Sequence, residues 1–397
     1  MIEKSKLRIA IVVSHPIQHF CPQYVSFTEN SNIEFKVFFA STLGYKKYVD
    51  VNFGEEISWG NLHLDKFDHL FLNGEAMLQA DKKLDAPSLE GELDRYHPDI
   101  LFTYGYFQKL QRRAKRWALK NKIQIAYISD SELRHKRNAG KELLKTIWLR
   151  RYFSTINWFL TMGNANEEFY KKYGVRENKL IRMHYPIDFV VYQKSYQQKE
   201  LLRNKIREQY NIHENEIVIS VVGKLVAWKN QDHIIEAMKL LEEDGIVVKL
   251  FMLGSGEMKA HWELIAKELK KCQVFFPGFV NIEELPSYYA ATDIYVHPAS
   301  LEPHSVAISE AIMMGCPVIL SDRCGSFGDT DDVQTGKNGY VFEFGNIEDL
   351  AEKIKQLALN SERRNSFGNY SHKIAFSFQQ ESHVGVIKKL LERQIEN

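Results

Sequence analysis

The chain has 397 residues, 44% of them apolar and 26% charged, which excludes a disordered or fibrous protein and, at roughly 100–200 residues per domain, favours two domains with a core each. Lysine and arginine total 52 against 51 acids, a net charge of +1, so the molecule as a whole is not built to coat nucleic acid. Four cysteines without C-x-x-C spacing exclude a disulfide scaffold and fit reduced thiols in the cytoplasm.

The opening stretch, MIEKSKLRIAIVVSHPIQHF, has an apolar run only from Ile9 to Val13, ended by His15-Pro16. No export signal is expected, and no later run approaches the roughly 18 apolar residues of a membrane span, so any membrane contact would be peripheral. Strands are expected at Arg8–Val13, Ile33–Ala40, His69–Leu72, Ile100–Thr103, Gln124–Ser129 and Trp158–Thr161. Segments of helical period alternate with them, which is the pattern of βα units in a parallel sheet. Residues 1–192 thus read as one doubly wound, Rossmann-like domain, whose ligands would sit at the carboxyl ends of the strands. Three such ends carry polar chemistry. In Ser14–Phe20, His15 and His19 could offer a neutral acceptor or a phosphate donor; alternatively one caps the backbone and the other lies against Phe20. Tyr104 stands after the fourth strand. Asp130, after the fifth, could orient an incoming hydroxyl or cap the next helix.

Between Gln108 and Arg151 stand 14 Lys/Arg and three acids, a local net charge of +11 against −10 for the rest. Gln108 to Lys122 has Leu110, Ala114, Trp117 and Ala118 on one helical face; Arg134 to Tyr152 adds Lys136, Arg137 and Trp148. Basic helices bearing tryptophan suit an anionic bilayer, where each cation contributes on the order of 1 kcal/mol. The other reading is a pair of helices whose apolar stripes pack on the sheet. The expectation is peripheral binding of an anionic membrane surface through Gln108–Arg151; no stacking platform or motif accompanies the block to suggest RNA.

Residues 193–211, rich in Gln, Lys and Arg, are expected to be a linker. Residues 212–375 repeat the βα pattern, with strands at Ile217–Val222, Val247–Leu253, Val274–Phe276, Ile294–Val296, Val318–Leu320 and Tyr340–Phe342, so a second doubly wound domain should face the first across a cleft. After its first strand, Gly223 permits a tight turn, and Lys224 and Lys229 could neutralise a diphosphate or be solvated. Gly254-Ser255-Gly256 repeats the turn after the next strand. The loop with Gly278 and Phe279 could hold a nucleobase through backbone groups or be an ordinary Pro-Gly turn. Glu302-Pro303-His304-Ser305-Val306 leads into a helix containing Glu310. Free N–H groups at that helix start suit a phosphate, Glu302 just before it could accept sugar hydroxyls, and Glu310 could grip a ribose diol. No metal-ligand spacing stands out, and Asp329-Thr330-Asp331-Asp332 is expected as a solvated loop. In 376–397, Val384, Ile387, Leu390 and Leu391 mark a helix from Gln380 to Glu396, expected to pack back on the first domain.

From Gly223 through Asn346 the chain resembles the C-terminal domain of the family 4 retaining glycosyltransferases, which have the two-domain GT-B fold. The residues that carry the likeness are Gly223, Lys229, Gly254-Ser255-Gly256, Gly278, Ser300, Glu302-Pro303, Glu310-Ala311, Gly315, Pro317-Val318, Gly325 and Asn338-Gly339, with the paired-Glu spacing the most specific. The resemblance implies a metal-independent enzyme moving sugar, with retention, from a UDP- or GDP-sugar in the second domain. The acceptor, a glycan or lipid-linked diphosphate of cell-surface polysaccharide or glycolipid synthesis, would lie on the first domain. It implies that Glu302 contacts donor-sugar hydroxyls, Glu310 the ribose, Lys224 and Lys229 the diphosphate, and the Phe279 loop the base, with Gly223, Gly254, Gly278, His304, Ser305 and Val306 around them. The Ser14–Phe20 loop is similar to that of some bacterial members, which puts His15 ahead of His19 as a catalytic-side residue, with His19, Tyr104 and Asp130 toward the acceptor. Three positions depart from the family. Lys224 stands for Arg, so a point charge replaces a bidentate grip. His304-Ser305 stands for Phe-Gly, and the Ser305 side chain narrows the approach to the sugar, implying a donor outside the commonest hexoses. Tyr104 and its neighbours stand where the family has a His. A nucleotide-sugar epimerase and a non-catalytic partner of another transferase share these features; a glycosidase would need two carboxylates across a bond and no nucleotide loops.

Overall fold

The structure is a computed structural model that describes residues 6–50, 55–57, 59–134 and 139–395. The first sheet is built from β1 (Leu7–Val13), β2 (Ile33–Phe39), β5 (His69–Phe71), β6 (Ile100–Tyr104), β7 (Gln124–Ile128), β8 (Trp158–Thr161) and β9 (Leu180–Arg182), while β3 (Tyr48–Asp50) and β4 (Glu55–Ile57) form a separate hairpin. The second contains β10 (Ile217–Val222), β11 (Val248–Leu253), β12 (Gln273–Gly278), β13 (Ile294–His297), β14 (Val318–Ser321) and β15 (Gly339–Phe342). Strand order is β5-β2-β1-β6-β7-β8-β9 in one and β12-β11-β10-β13-β14-β15 in the other, and every pairing in both is parallel.

The helices are α1 (Cys21–Phe27), α2 (Leu89–Tyr96), α3 (Lys109–Lys120), α4 (Ala139–Phe153) and α5 (Asn164–Lys172) in the first half. The rest are α6 (Phe189–Gln197), α7 (Lys199–Gln209), α8 (Asp232–Glu243), α9 (Lys259–Ala266), α10 (Leu285–Ala291), α11 (Val306–Met313), α12 (Ile347–Leu359), α13 (Ser361–Gln380) and α14 (Val386–Ile395). They cover both faces of each sheet, which is why the central strands are near-continuous apolar runs rather than alternating ones. In β1, Ile9, Ile11 and Val13 enter one core and Ala10 and Val12 the opposite one; in β11, Phe251 and Leu253 part in the same way from Leu250 and Met252. The one polar residue inside β10, Ser220, is fully buried and satisfied by the Thr292 hydroxyl at 2.9 Å.

Two connections gain detail. The stretch 193–211 is helical, as α6 and α7, because its sparse aliphatics are enough when charge completes the docking. Ile206 and Tyr192 enter the second core, and Arg203 and Arg207 reach Asp293 at 2.8 and 2.6 Å beside the β13 strand. The C-terminal helix begins earlier than expected, as α13 at Ser361, and passes through a π-helical turn at Glu381–Gly385 before α14. That turn rotates the apolar face, leaving Val384 half exposed, while Val386, Ile387 and Leu390 join the core of the first sheet. Glu396 lies outside the described residues, as do Lys136 and Arg137. The chain therefore crosses between domains twice, and the crossings are bonded together: Gln379 accepts from Ile187 N–H at 3.0 Å and donates to Tyr185 O at 2.9 Å, and His383 Nε2 donates to Ile187 O at 3.0 Å. All four cysteines are buried and unpaired.

Candidate functional site

A cavity of about 430 Å³ opens at the carboxyl ends of β10 and β11, between the domains. Its floor is made by two glycine turns. Gly254 has φ +132° and donates its N–H to Gly278 O at 2.8 Å, and a Cβ there would lie 1.9 Å from Gly223 O. Only glycine lets the two turns lie this close. Gly223 has open space where its own Cβ would be, so a ligand can approach its backbone.

Lys229 ends a short 3₁₀ turn, Ala227–Lys229, and Asn230 follows in the left-handed region. Ser300 holds that turn by donating both its N–H and its hydroxyl to Trp228 O at 2.9 Å, which brings Lys229 into a salt bridge with Glu302. Glu302 also meets His297 Nε2 at 3.3 Å. Burial pushes the Glu302 carboxyl up, but His297 and Lys229 outweigh it and hold the group at about 2. Lys224 lines the same wall, and the Gln231 amide fixes its carbonyl at 3.2 Å.

Four residues after Glu302, α11 starts at Val306, with Ser305 buried before it and its N–H bonded to Ser326 Oγ at 2.9 Å. Glu310 lies within α11 and is buried, not solvent-facing; it accepts from the Tyr289 hydroxyl at 3.0 Å. Burial pushes its carboxyl up to about 7, with Tyr289 and Tyr192 hydroxyls pulling it back. Val306, Ala307 and Glu310 line the middle of the cavity, and Phe279, Val280, Ile282 and Leu285 line an apolar end. Gly278 supports the floor through Gly254 and is not itself in the lining.

His304 lines the other end and is bonded through Nε2 to Asp332 at 3.1 Å, which also accepts from Ser309 Oγ at 2.6 Å. The segment Asp329–Asp332 is solvated only in its first half: Asp329 and Thr330 are exposed, whereas Asp331 and Asp332 are buried. They are buried because the first domain covers them. Asn164, at the start of α5, donates its N–H to Asp331 at 2.8 Å, and Arg182 donates to Thr330 O at 2.9 Å. Burial lowers the His304 imidazole, but the hydrogen bond to Asp332 and the charges of Asp332, Asp331 and Asp130 raise it on balance. His304, Asp331 and Asp332 have ligand-type atoms within 4.8 Å of one another, all three residues buried.

From the first domain, Asp130, Gln18, Trp59 and Tyr185 complete the wall. Burial pushes Asp130 up in pKa, and the charge of His304 opposes this. Tyr185 stacks on His304, centroids 5.3 Å apart. The other expected first-domain residues lie outside the lining. His15 bonds Ser14 Oγ at 2.8 Å, and burial lowers its pKa to about 4. His19 packs on Phe20, centroids 4.7 Å apart, and on Tyr185. The Tyr104 hydroxyl is taken by Tyr24 at 2.9 Å. His19 thus stands behind Tyr185 rather than in the lining. Trp59 and Tyr185 were not foreseen, because each comes from a connection with no motif of its own; Gln18 belongs to the Ser14–Phe20 loop, where the histidines beside it drew the expectation instead.

Residues 203–374 match the sequence model of the family described as glycosyl transferases, group 1. Among curated proteins, the chain is 29% identical over 184 residues to spore coat protein SA of Bacillus subtilis (strain 168), covering 44% of this chain and 48% of that one. It is 26% identical over 186 residues to the capsular polysaccharide biosynthesis glycosyltransferase CapM of Staphylococcus aureus, covering 45% and 46%. The chain thus spans about half the length of the curated relatives it matches. Two solved structures align along nearly the whole chain at a TM-score of 0.70 and 15% identity. One is a glycosyltransferase from Rickettsia africae ESF-5, with 98% of both chains covered. The other is Anabaena Alr3699/HepE in complex with UDP, with 99% of this chain and 100% of that one. The protein shares with them the fold of two Rossmann-like domains known as GT-B.

Proposed function

We propose that the protein is a glycosyltransferase of the family 4 type that moves a sugar, with retention and without a metal, from a UDP- or GDP-sugar to a glycan or lipid-linked acceptor of cell-surface polysaccharide or glycolipid synthesis. The observation that carries this reading is the meeting, in one cleft, of the Gly223 and Gly254 turns, the Lys229–Glu302 pair and Glu310, within the region matched by the group 1 model. The names of CapM and of the UDP complexes of HepE agree with it.

In this reading the diphosphate lies over Gly223 between Lys224, Lys229 and the start of α11, the ribose diol on Glu310, and the donor sugar between Glu302, His304 and Asp130. The sugar–oxygen bond to the diphosphate breaks as an acceptor oxygen attacks the same face, and the acceptor proton passes to the departing diphosphate oxygen. The two lysines and the helix start stabilise the charge that develops there. The first-domain wall excludes water that would hydrolyse the donor. Asp130, its ionisation disfavoured by burial, orients the acceptor hydroxyl.

The test is a binding screen over UDP, GDP, ADP, CDP and their sugars, followed by transfer assays, with Ser305→Gly run alongside as a probe of donor choice. Binding of one base class and transfer to an acceptor are expected; failure to bind any of the four overturns the reading. Conversion of the donor without an acceptor would indicate an epimerase instead. In the same assay, nucleotide affinity should rise as pH passes 7, because an ionised Glu310 accepts both ribose hydroxyls and a neutral one does not. Glu310→Gln should weaken binding and abolish that rise. The sign for folding is opposite: Glu310 keeps its proton in the folded state that the unfolded chain releases near 4.5, so on this group's account stability falls between pH 4.5 and 7 and is flat above.

The acceptor side of this proposal includes an anionic membrane. No helix among the described residues is long and apolar enough to cross one. Trp117 is buried and bonded to Asp94, as the packing alternative has it, but α4 turns outward: Leu143, Leu144, Ile147 and Trp148 are 45–72% exposed. Beside them a groove is lined by Lys82, Lys83, Lys109 and Arg112 with Tyr106 and Phe107. An exposed apolar ridge rimmed by cations fits an anionic lipid surface. Vesicle flotation should show binding that depends on anionic lipid, weakens with salt and is lost in Leu144→Glu/Ile147→Glu; binding indifferent to all three removes the membrane from the proposal.

A further inference from the structure

The base end of the cavity is closed by a residue of the opposite domain. Trp59 follows the β3–β4 hairpin of the first domain and lines the cavity together with Phe279 of the second, their ring centroids 6.4 Å apart and inclined at 52°. Its position is set from behind. Trp59 N–H donates to Gly44 O at 3.0 Å, and the indole occupies the space where a Cβ on Gly44 would be, 2.1 Å from Cδ1. Gly44 has φ +81°, so its conformation and its missing side chain both serve the indole. The next residue, Gly60, rests on Glu283 of the second domain, where a Cβ would lie 2.2 Å from the carboxylate. The Trp59–Gly60 loop is thus seated across the cleft.

The cavity has three chemically distinct stretches: a cationic one at Gly223 and Lys229, a carboxylate at Glu310, and an apolar one at Phe279, Val280 and Ile282. A nucleoside diphosphate has three matching parts, and its flat base belongs at the apolar stretch. There, we infer that Trp59 is a base-contacting residue, supplied by the first domain, that forms with Phe279 one aromatic surface against which the nucleobase packs and so contributes to donor affinity and base choice. The inference rests on the transferase reading above. Base–aromatic contact of this kind is worth roughly ten- to a hundredfold in affinity, and pyrophosphate, which has no base, gains nothing from it.

The test measures binding of UDP, GDP, ADP, CDP and inorganic pyrophosphate to the full chain and to Trp59→Ala and Trp59→Phe, with urea midpoints to verify folding. Expected is a ten- to hundredfold loss for the preferred nucleotide in Trp59→Ala, a smaller loss in Trp59→Phe, altered ranking of purines against pyrimidines, and pyrophosphate affinity unchanged. Nucleotide should also quench tryptophan fluorescence in the native protein and not in Trp59→Phe. If the native protein binds a nucleotide and Trp59→Ala binds it within twofold, or loses pyrophosphate equally, the inference is overturned and the transferase reading stands. If the native protein binds none of the four, both fall together.

Discussion

Replacing Lys229 by alanine is expected to lower kcat/KM about a thousandfold, roughly 4 kcal/mol of transition-state stabilisation. Two effects combine. Lys229 lines the cleft and, in the proposed reading, faces the diphosphate, where a single preorganised donor facing developing charge is worth about a hundred- to a thousandfold. It is also the cation beside the partly buried Glu302, so its loss leaves that carboxylate with His297 alone. Freed of Lys229, Glu302 is raised by burial from about 2, and the acid limb of the pH–rate profile should move to higher pH. Lys229→Arg should recover part of the rate, since charge is kept while the point geometry is not. Steady-state assays over pH check all three, and a loss smaller than tenfold would remove Lys229 from the leaving-group site.

Gly254→Ala is expected to reduce stability by about 3 kcal/mol and to abolish nucleotide binding. A methyl group 1.9 Å from Gly223 O cannot be accommodated by a side-chain rotation, because the atom it meets is backbone of the neighbouring strand's turn. Overpacking of this kind costs about 1–3 kcal/mol, and a backbone conformation unsuited to an L side chain adds roughly 1–2. Gly223→Ala makes the contrast. Its φ of +149° carries the same backbone cost, but its Cβ meets nothing within 4 Å, so the overpacking cost is absent and stability should change less, yet the methyl group would project where, in the proposed reading, the diphosphate contacts form and nucleotide affinity should fall. Urea unfolding midpoints and nucleotide titrations of both variants test the pair; equal destabilisation would mean that contact between the turns does not govern the floor.

The second domain is the more legible half, for a physical reason. Its six strands are apolar runs punctuated by Gly and Pro, and the groups that line the cleft sit at fixed offsets from strand ends and from α11, so pattern and position coincide. The first domain's contributions come instead from loops whose placement is tertiary. Trp59 depends on the missing side chain of Gly44, the neighbouring Gly60 on Glu283 of the other domain, and Tyr185 on a stack with His304. His19 attracted notice by its type and lies in an aromatic cluster, where packing on Phe20 and Tyr185 outweighs its titration. One short edge strand, β9, and the hairpin escaped notice because three residues carry too little period. Asp331 and Asp332 were misjudged because nothing local shows that Asn164 and Arg182 will cover them. That the boundary stretch 193–211 is helical was not legible either, because Arg203 and Arg207 acquire a partner only when Asp293 is placed beside them.

The return of α14 to the first sheet has a consequence for synthesis. Val386, Ile387 and Leu390 share one core with Ile9, Ile11 and Val13, and Gln23 donates to Ser382 O at 2.8 Å. At about 5–20 residues per second, these partners leave the ribosome roughly 20 to 75 s apart. For that interval the half made first carries an open apolar seam and cannot finish folding on its own. The newborn chain is then a substrate for holding chaperones, and slowing translation late in the message would prolong its exposure rather than help it fold.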